Sequence, residues 1–202
     1  MSRGYKLAYR LGVTPWESAG EAGKQQLASL LEREEQERAV PYGKALDLGC
    51  GRGLHSMDLA RRGWEVTAID VVPKAIQDAK KRAAERGVPV DFLVADVTAM
   101  SATDVGEGFT FFLDVGCFHG LTDRQRLAMA ERVTDVATAD ATLLLLAFQP
   151  GKRGPLPRGA SRQDVERFFD RWAVVDEGAA ETAGIPRPLK KASPRWYRLR
   201  RT

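Results

Sequence analysis

Cysteine is scarce in this sequence, with two residues among 202. Cys50 and Cys117 are far apart, each lies beside a glycine, and neither belongs to a cluster with metal-ligand spacing. A disulfide framework is therefore excluded and no metal site is predicted. Two isolated thiols are typical of a reduced, cytoplasmic protein.

A long hydrophobic segment is also missing. The longest apolar stretch, residues 141–148, is far too short to span a membrane, and the opening MSRGYKLAYR has no apolar core or cleavage signature of an export signal. With 44% hydrophobic and 29% charged residues, the composition is that of an ordinary globular protein. We expect one domain over residues 1–202, in the cytoplasm and without a membrane partner.

Net charge is small, at +4, but it is unevenly distributed. Residues 187–202 contain no acid and several basic side chains, which are Arg187, Lys190, Lys191, Arg195, Arg198, Arg200 and Arg201. Such a run is compatible with a nucleic-acid footprint, with a solvated basic edge or with attraction for small anions. No stacking aromatic array accompanies it, so a nucleic-acid partner is not favoured.

What the sequence does contain is a glycine-rich turn, in KALDLGCGRGLHS at residues 44–56. Apolar residues of strand type precede the turn, and residues 54–62 are helical in pattern. Glycine lets the backbone approach a ligand closely, and a helix N-terminus presents unpaired N–H groups. The segment therefore predicts a nucleotide-type binding corner.

The glycine spacing restricts the class of ligand that the turn can bind. A dinucleotide fingerprint needs a third glycine at position 54, which is Leu54, and a phosphate-binding P-loop needs a following Lys-Ser/Thr pair, which is absent. G-x-G-x-G after a strand that ends in Asp47 resembles the first motif of class I S-adenosylmethionine methyltransferases. A plain tight turn and a modified NAD site remain the alternatives at this point.

Strand and helix patterns alternate along the rest of the chain. Strands are predicted at residues 45–48, 65–69, 90–94, 109–113, 142–148, 172–175 and 196–199, with helices or helical segments between most of them. This order predicts an α/β, Rossmann-like open sheet of about seven mostly parallel strands, the last antiparallel, with helices on both faces. Residues 1–40 are predicted to form an N-terminal helical lid on a core of residues 41–202.

Acidic residues end four of the predicted strands, at Asp47, Asp70, Asp96 and Asp114. Ligands of open α/β sheets bind at the carboxyl ends of the strands, and Asp70 follows Gly49 at the distance from which an acid reaches ribose hydroxyls. The alternative is that each acid only caps the next helix or turn. The family resemblance implies adenine recognition at Asp96. It places Asp114 in the fourth motif, beneath the methionine part of the cofactor.

The resemblance to class I methyltransferases covers residues 44–199, and it implies S-adenosylmethionine as cofactor and S-adenosylhomocysteine as product. The implied cofactor-binding residues are Trp16, Asp47, Gly49, Cys50, Gly51, Gly53, His55, Asp70, Val71, Asp96, Val97 and Asp114. The sequence after Asp114 lacks the N/D-P-P-Y type motif of nucleic-acid and protein amino-methylases. That departure disfavours methylation of an exocyclic amine on a base.

An N-terminal block, LGVTPWE at residues 11–17, is similar to blocks in thiopurine, halide/thiol and tellurite-resistance methyltransferases. The resemblance implies that Trp16 covers the cofactor, where an aromatic face favours a sulfonium cation. Tyr9 and Trp16 are then candidate acceptor contacts. The alternative is that Trp16 pins the N-terminal helix to the sheet.

His119, in Cys-Phe-His-Gly after the fourth strand, is the candidate catalytic residue, and Phe118 and His119 are candidate acceptor contacts. Methyl transfer needs alignment above all, and a histidine base helps where the acceptor is a hydroxyl. A pocket-shaping role for His119 is the alternative. We expect methylation of a small-molecule hydroxyl, thiol or other heteroatom, with an NAD-dependent oxidoreductase or a nucleic-acid methyltransferase as alternatives.

Overall fold

The structure is a computed structural model that describes residues 23–151, 158–182 and 191–202. Seven strands form one sheet in the order β3-β2-β1-β4-β5-β7-β6. Their bounds are β1 Lys44–Leu48, β2 Glu65–Asp70, β3 Asp91–Val94, β4 Phe109–Val115, β5 Ala137–Ala147, β6 Trp172–Ala179 and β7 Arg195–Arg201. All neighbours pair in parallel except β7, which is antiparallel to both β5 and β6. The predicted Rossmann-like architecture is confirmed.

Six α-helices connect or flank these strands within the described residues. They are α1 Lys24–Gln36, α2 Leu54–Arg62, α3 Pro73–Glu85, α4 Ala102–Val105, α5 Asp123–Val136 and α6 Arg162–Phe168, and a short 3-10 turn covers Phe118–Gly120. Capping boxes at Thr122 and Ser161 begin α5 and α6. Pro73 occupies the first turn of α3, where its missing N–H needs no partner within the helix.

Alternate residues of the central strands point to opposite faces of the sheet and build two cores. Leu46, Phe112 and Leu145 pack with α5 and α6 on one face. Ala45 and Phe111 pack with α1, α2 and α3 on the other. Central strands buried on both faces explain the continuous apolar sequence of residues 143–146.

Strand β5 differs most from its prediction, because it begins at Ala137 and not at Thr142. Its first residues, Ala-Thr-Ala-Asp, are polar or small and largely outside the apolar core, so hydrophobic pattern alone does not mark them. The Arg201 guanidinium holds this part of the strand through the carbonyl groups of Ala137 and Thr138. Backbone pairing, which has no sequence signature, extends the strand here.

Helix α1 is the described part of the predicted lid, and it lies across the face of the sheet beside α2. Leu27 and Leu31 are buried in the core on this face. Glu34 of α1 accepts hydrogen bonds from Arg198 of β7 at 2.7 Å and from Thr142 of β5. The lid over the cofactor remains a prediction, since residues 1–22 lie outside the described residues.

Candidate active site

The loop from Gly49 to Gly53 joins β1 to α2 in a tight turn fastened to β2. The backbone N–H groups of Gly49 and Cys50 both donate to the carbonyl oxygen of Ile69 at 2.9 Å. Gly49 and Gly53 have φ angles of +76° and +74°, which L side chains rarely adopt. The turn is therefore built for glycine at these two positions.

Close packing gives a second reason for these glycines. A Cβ atom on Gly53 would lie 2.5 Å from Cζ of Phe92, and one on Gly49 would lie 3.0 Å from Cβ of Cys117. The loop thus presses against β3 on one side and against the segment after β4 on the other. It forms a cradle of bare backbone at the carboxyl end of β1.

Asp70 links this loop to the end of β2. Its side chain is 5% exposed, and its Oδ2 atom accepts from the Gly51 N–H at 3.0 Å while Oδ1 accepts from the Val72 N–H at 2.8 Å. Burial raises the pKa of Asp70 above its ordinary value, and these N–H groups oppose the rise. A carboxylate has about four acceptor positions, so it retains capacity for the hydroxyl groups of a ligand.

Asp47 lies beneath the glycine loop and is fully enclosed. The Ser56 hydroxyl donates to its Oδ2 atom at 2.5 Å. Burial raises the pKa of Asp47 to about 7, the hydrogen bond from Ser56 opposes the rise, and the negative charge of Asp70 adds to it. Asp47 and Asp70 therefore behave as electrostatic neighbours.

Asp114, at the end of β4, organises the segment that follows it. Its two oxygens accept from the N–H groups of Cys117 at 2.7 Å and Phe118 at 2.9 Å. Burial raises its pKa to about 7, the N–H groups of Cys117, Phe118 and Gly116 oppose the rise, and the charge of Asp47 adds to it. Asp114 therefore acts on the backbone of this segment, and direct contact with a cofactor stays a prediction.

These three acids meet where the strand order reverses, because β1 and β4 are neighbours at the centre of the sheet. In the described residues, the groups that donate to them are backbone N–H groups and one hydroxyl, none of them charged. Clustered carboxyl groups with raised pKa values, at the switch point of an open sheet, are typical of a ligand site.

Asp96 is one of the residues that line a cavity beyond the end of β3. Its Oδ1 atom accepts from the backbone and hydroxyl groups of Thr98 at 2.9 and 2.8 Å. The cavity, of about 340 Å³, is lined by Leu93, Val94, Ala95, Asp96, Ala99, Met100 and Asp104. Both the turn-capping role and a position suited to adenine are thus consistent with the geometry.

A family model described as a methyltransferase domain matches residues 45–140, the segment that contains all four acids and the glycine loop. Residues 45–140 form a methyltransferase domain. The fold of the whole described chain agrees, since the seven strands and the glycine loop after β1 have the order expected from the sequence.

A curated relative shares 31% identity over 147 residues with this chain. It is the 2-heptyl-1-hydroxyquinolin-4(1H)-one methyltransferase of Mycobacteroides abscessus, and the match covers 70% of this chain and 63% of the relative. This chain therefore spans less than two thirds of that relative's length.

Two solved structures share the fold. One is the 1,6-didemethyltoxoflavin-N1-methyltransferase of Burkholderia thailandensis, with S-adenosylhomocysteine bound. Its TM-score is 0.70 at 22% identity, and the match covers 98% of this chain and 86% of that protein's chain. The N-methyltransferase NodS of Bradyrhizobium japonicum, also with S-adenosylhomocysteine, has a TM-score of 0.72 at 18% identity, with coverages of 88% and 86%.

His119 is buried in the segment after β4. Its Nδ1 atom accepts the N–H of Phe148 at 3.0 Å, and its ring stacks on the Phe148 ring with 4.5 Å between centroids. An Nδ1 that accepts a hydrogen bond carries no proton, so the neutral imidazole is protonated on Nε2. To take a proton from a methyl acceptor, Nε2 would first have to lose its own proton. The neutral ring would then carry a proton on Nδ1, which could no longer accept the N–H of Phe148.

Phe118, which the sequence predicts to contact the acceptor, is fully buried. Its ring packs on Phe169 with 5.5 Å between centroids and on Phe168 with 6.2 Å. Because the ring is enclosed by core residues, it supports the site from below and does not line an open pocket wall. This placement favours a packing role for Phe118, and its contact with an acceptor stays a prediction.

The two thiols border the glycine loop and are poor nucleophiles. Burial raises the pKa of Cys50 well above its ordinary value, and the charges of Asp47 and Asp70 add to the rise. The Cys117 pKa is raised in the same way, by burial and by neighbouring acids that include Asp114. Both thiols therefore stay protonated, since the thiolate is the reactive form.

The other predicted site residues fall into two groups. His55 and Val71 are half-buried close to the loop, and Val97 is buried behind Asp96. Tyr9 and Trp16 lie outside the described residues, so their contacts with cofactor and acceptor remain predictions.

Three side chains that contact the candidate site residues were missed by the sequence interpretation, namely Ser56, Phe148 and Arg126. Ser56 and Phe148 have no local signal. Arg126, however, falls on the buried stripe of α5 with Met129, Ala130 and Val133. A charged residue at an apolar position of a helical stripe is unusual, and this spacing could have drawn attention to it.

Proposed function

We propose that this methyltransferase transfers a methyl group from S-adenosylmethionine to a small-molecule acceptor. The observation that carries the proposal is the bare glycine cradle beside Asp70 and Asp47, at the switch point of the sheet. The two solved relatives hold S-adenosylhomocysteine, and the residues of this cradle suit the same ligand.

The chain's own residues would hold the cofactor in three places. The backbone of Gly49, Gly51 and Gly53 admits its amino-acid tail, Asp70 accepts from the ribose hydroxyls, and the cavity at Asp96 receives the adenine. The bound cofactor supplies an electrophilic methyl group on a sulfonium. Because the transfer is an in-line displacement, the protein contributes mainly alignment and exclusion of water.

The acceptor side lies on the other side of the switch point, between the segments that follow β4 and β5. The curated relative is named for a hydroxyquinolinone and a solved relative for 1,6-didemethyltoxoflavin. These names support a small acceptor with a hydroxyl or another heteroatom. The hydrogen bond at Nδ1 favours His119 as a residue that shapes and orients this side, over the role of general base.

Neither alternative function is favoured. The family match is to a methyltransferase domain, which does not support an NAD-dependent oxidoreductase. Of the basic carboxyl-terminal residues, Arg198 is paired with Glu34 and Glu37, Arg200 is paired with Glu37, and Arg195 is paired with Glu177. Because these three cations already have intramolecular partners, they offer a nucleic acid little free charge.

Calorimetric titration with S-adenosylhomocysteine, and with NADH in parallel, tests the proposal. We expect micromolar binding of S-adenosylhomocysteine only, and loss of about 100-fold in affinity in Asp70→Ala, roughly 2.7 kcal/mol. Asp91→Ala, which removes an exposed carboxylate at the opposite end of the sheet, should bind as the wild type does. Binding of NADH, or of neither ligand, would reject the cofactor assignment.

A screen for acceptor follows from the titration. The purified protein is incubated with S-adenosylmethionine and phenols, hydroxyquinolinones, thiols or halides, and S-adenosylhomocysteine formation is measured. Turnover that depends on one acceptor class supports small-molecule methylation. Turnover with RNA or DNA alone would contradict it.

A further inference from the structure

A buried guanidinium joins the two segments that border the acceptor side of the site. Arg126 is 2% exposed, although it lies in the first turn of α5. Its Nε atom donates to the carbonyl of Phe118 at 3.3 Å, and Nη2 donates to the carbonyls of His119, at 3.3 Å, and Gly159. One side chain thus binds the segment after β4 and the segment after β5.

Backbone contacts close the same junction. The His119 carbonyl also accepts the N–H of Gly159 at 3.2 Å, and the Phe148 carbonyl accepts the N–H of Ala160 at 2.8 Å. Gly159 is held so closely that a Cβ atom there would lie 2.3 Å from the carbonyl oxygen of Gln149. Residues 148–149 and 159–160 therefore form a narrow neck, with Arg126 beneath it.

The junction fixes the imidazole of His119. The ring is held on one side by its backbone, through Arg126 and Gly159, and on the other by Phe148, which donates to Nδ1 and stacks on the ring. A shift of either segment would separate Nδ1 from the Phe148 N–H. The orientation and the tautomer of His119 thus depend on how the two segments are joined.

We propose that Arg126 is a positioning residue for the acceptor side of the methyltransferase site, which holds His119 in one orientation with Nε2 protonated. This proposal rests on the proposed function for what the acceptor side does. Arg126 acts through the loop carbonyls and does not itself touch the reacting atoms.

The chemistry of the junction requires arginine. A planar guanidinium serves three carbonyls from different directions and at the same time packs over an aromatic ring, here Phe118 at 5.1 Å from its centroid. A lysine ammonium is a single point of charge and would reach fewer of these oxygens. Arg126→Lys therefore keeps the positive charge but cannot donate to all three carbonyl groups.

Imidazole ¹⁵N NMR tests the proposal, since the chain has only two histidines. A His55→Gln variant assigns the two signals. In the wild type we expect His119 to show an unprotonated Nδ1 and a protonated Nε2. In Arg126→Lys we expect tautomer-averaged signals from His119, and at least tenfold faster hydrogen exchange of the Phe148 amide.

Arg132→Lys is the matched control. Arg132 lies on the same helix, but its side chain is 38% exposed and pairs with Asp135 at 3.1 Å. The control should leave the His119 signals and the Phe148 exchange rate unchanged. It thereby separates the loss of the junction from a general effect of replacing arginine with lysine on α5.

Binding and kinetics separate positioning from mere stability. Arg126→Lys should bind S-adenosylhomocysteine within about threefold of the wild type, while kcat/KM for the acceptor found by the screen falls at least tenfold, mainly through KM. If the wild type fails to bind S-adenosylhomocysteine, the proposed function fails, whereas a dependence of the His119 signals on Arg126 would still show the junction.

Two results would overturn the inference. One is a wild-type His119 that carries its proton on Nδ1, which can be measured without any variant at Arg126. The other is a folded Arg126→Lys protein with unchanged His119 signals and Phe148 exchange. Should Arg126→Lys not fold, Gly159→Ala breaks the neck from its other side, and unchanged His119 signals in that variant would equally reject the proposal.

Discussion

Buried carboxylates occur in two regions of this molecule, and their pKa values are shifted in opposite directions. Glu34 on α1 is 1% exposed and accepts from Arg198, Thr142 and Arg38. Burial alone raises its pKa, but these hydrogen bonds together outweigh burial and hold the pKa below its ordinary value. Asp47 and Asp114, at the carboxyl edge, have pKa values raised to about 7.

The difference distinguishes an acid that holds the fold from acids that lie at the candidate ligand site. Glu34 is neutralised by cations of the protein, so it is satisfied within the chain. Among the residues that the structure describes, the groups that donate to Asp47 and Asp114 are backbone N–H groups and a hydroxyl, which bring no positive charge. Their uncompensated charge makes the folded protein less stable and leaves the edge suited to a cationic or hydroxyl-bearing ligand.

The largest effect is expected from Glu34→Gln. Loss of the carboxylate leaves Arg198 and Arg38 without their buried partner, so we expect a decrease of about 3 kcal/mol in the free energy of unfolding, measured with urea. Glu37→Gln is the matched control, because Glu37 also pairs with Arg198 but is 39% exposed, and it should cost about 1 kcal/mol or less. Equal decreases in the free energy of unfolding of the two variants would show that burial of the carboxylate does not set the strength of its ion pair.

A smaller effect of opposite sign is expected from Asp47→Asn. The asparagine still accepts from Ser56 but carries no charge, so we expect about 1 kcal/mol or more of added stability at pH 8. Binding of S-adenosylhomocysteine is measured on the same samples, since the added stability is expected to accompany weaker binding.

The pH dependence of that gain follows from linkage. Asp47 has a folded pKa of about 7 and an ordinary value of 3.8, so the folded wild type binds more protons between these limits. Its stability contribution is complete below about pH 4 and is lost as the pH rises through 7. The gain in Asp47→Asn should therefore shrink from pH 8 to pH 5, and a variant that is less stable than the wild type at pH 8 would contradict the prediction.

The smallest effect is expected from Arg33→Gln. Arg33 is adjacent to Glu34 on α1 and pairs with Asp176, but both side chains are widely exposed, at 54% and 40%. Solvent screens such a pair, so the free energy of unfolding should change by about 0.5 kcal/mol or less. A loss as large as that of Glu34→Gln would show that burial is not what separates the two pairs.

The cofactor half of the site could be predicted from the sequence because its signals are local. The glycine spacing after β1 and the acids at Asp47 and Asp70 lie within one strand-loop-helix-strand unit. The acceptor half depends on contacts between distant segments. Arg126, Phe148 and Gly159 meet around His119 only in the folded chain, and Phe118, which the sequence placed at the acceptor, is a core residue.

The sequence by itself determined the order of strands and helices, the glycine turn and the acids at the strand ends, because these depend on hydrophobic period and on conformations that only some residues adopt. Only the tertiary structure decided which acids carry uncompensated charge. Four glutamates lie within residues 32–37, and nothing local shows that Glu34 is the one that is buried and accepts from both Thr142 and Arg198. Burial and ion pairing are properties of the assembled layers, since they depend on groups more than a hundred residues apart.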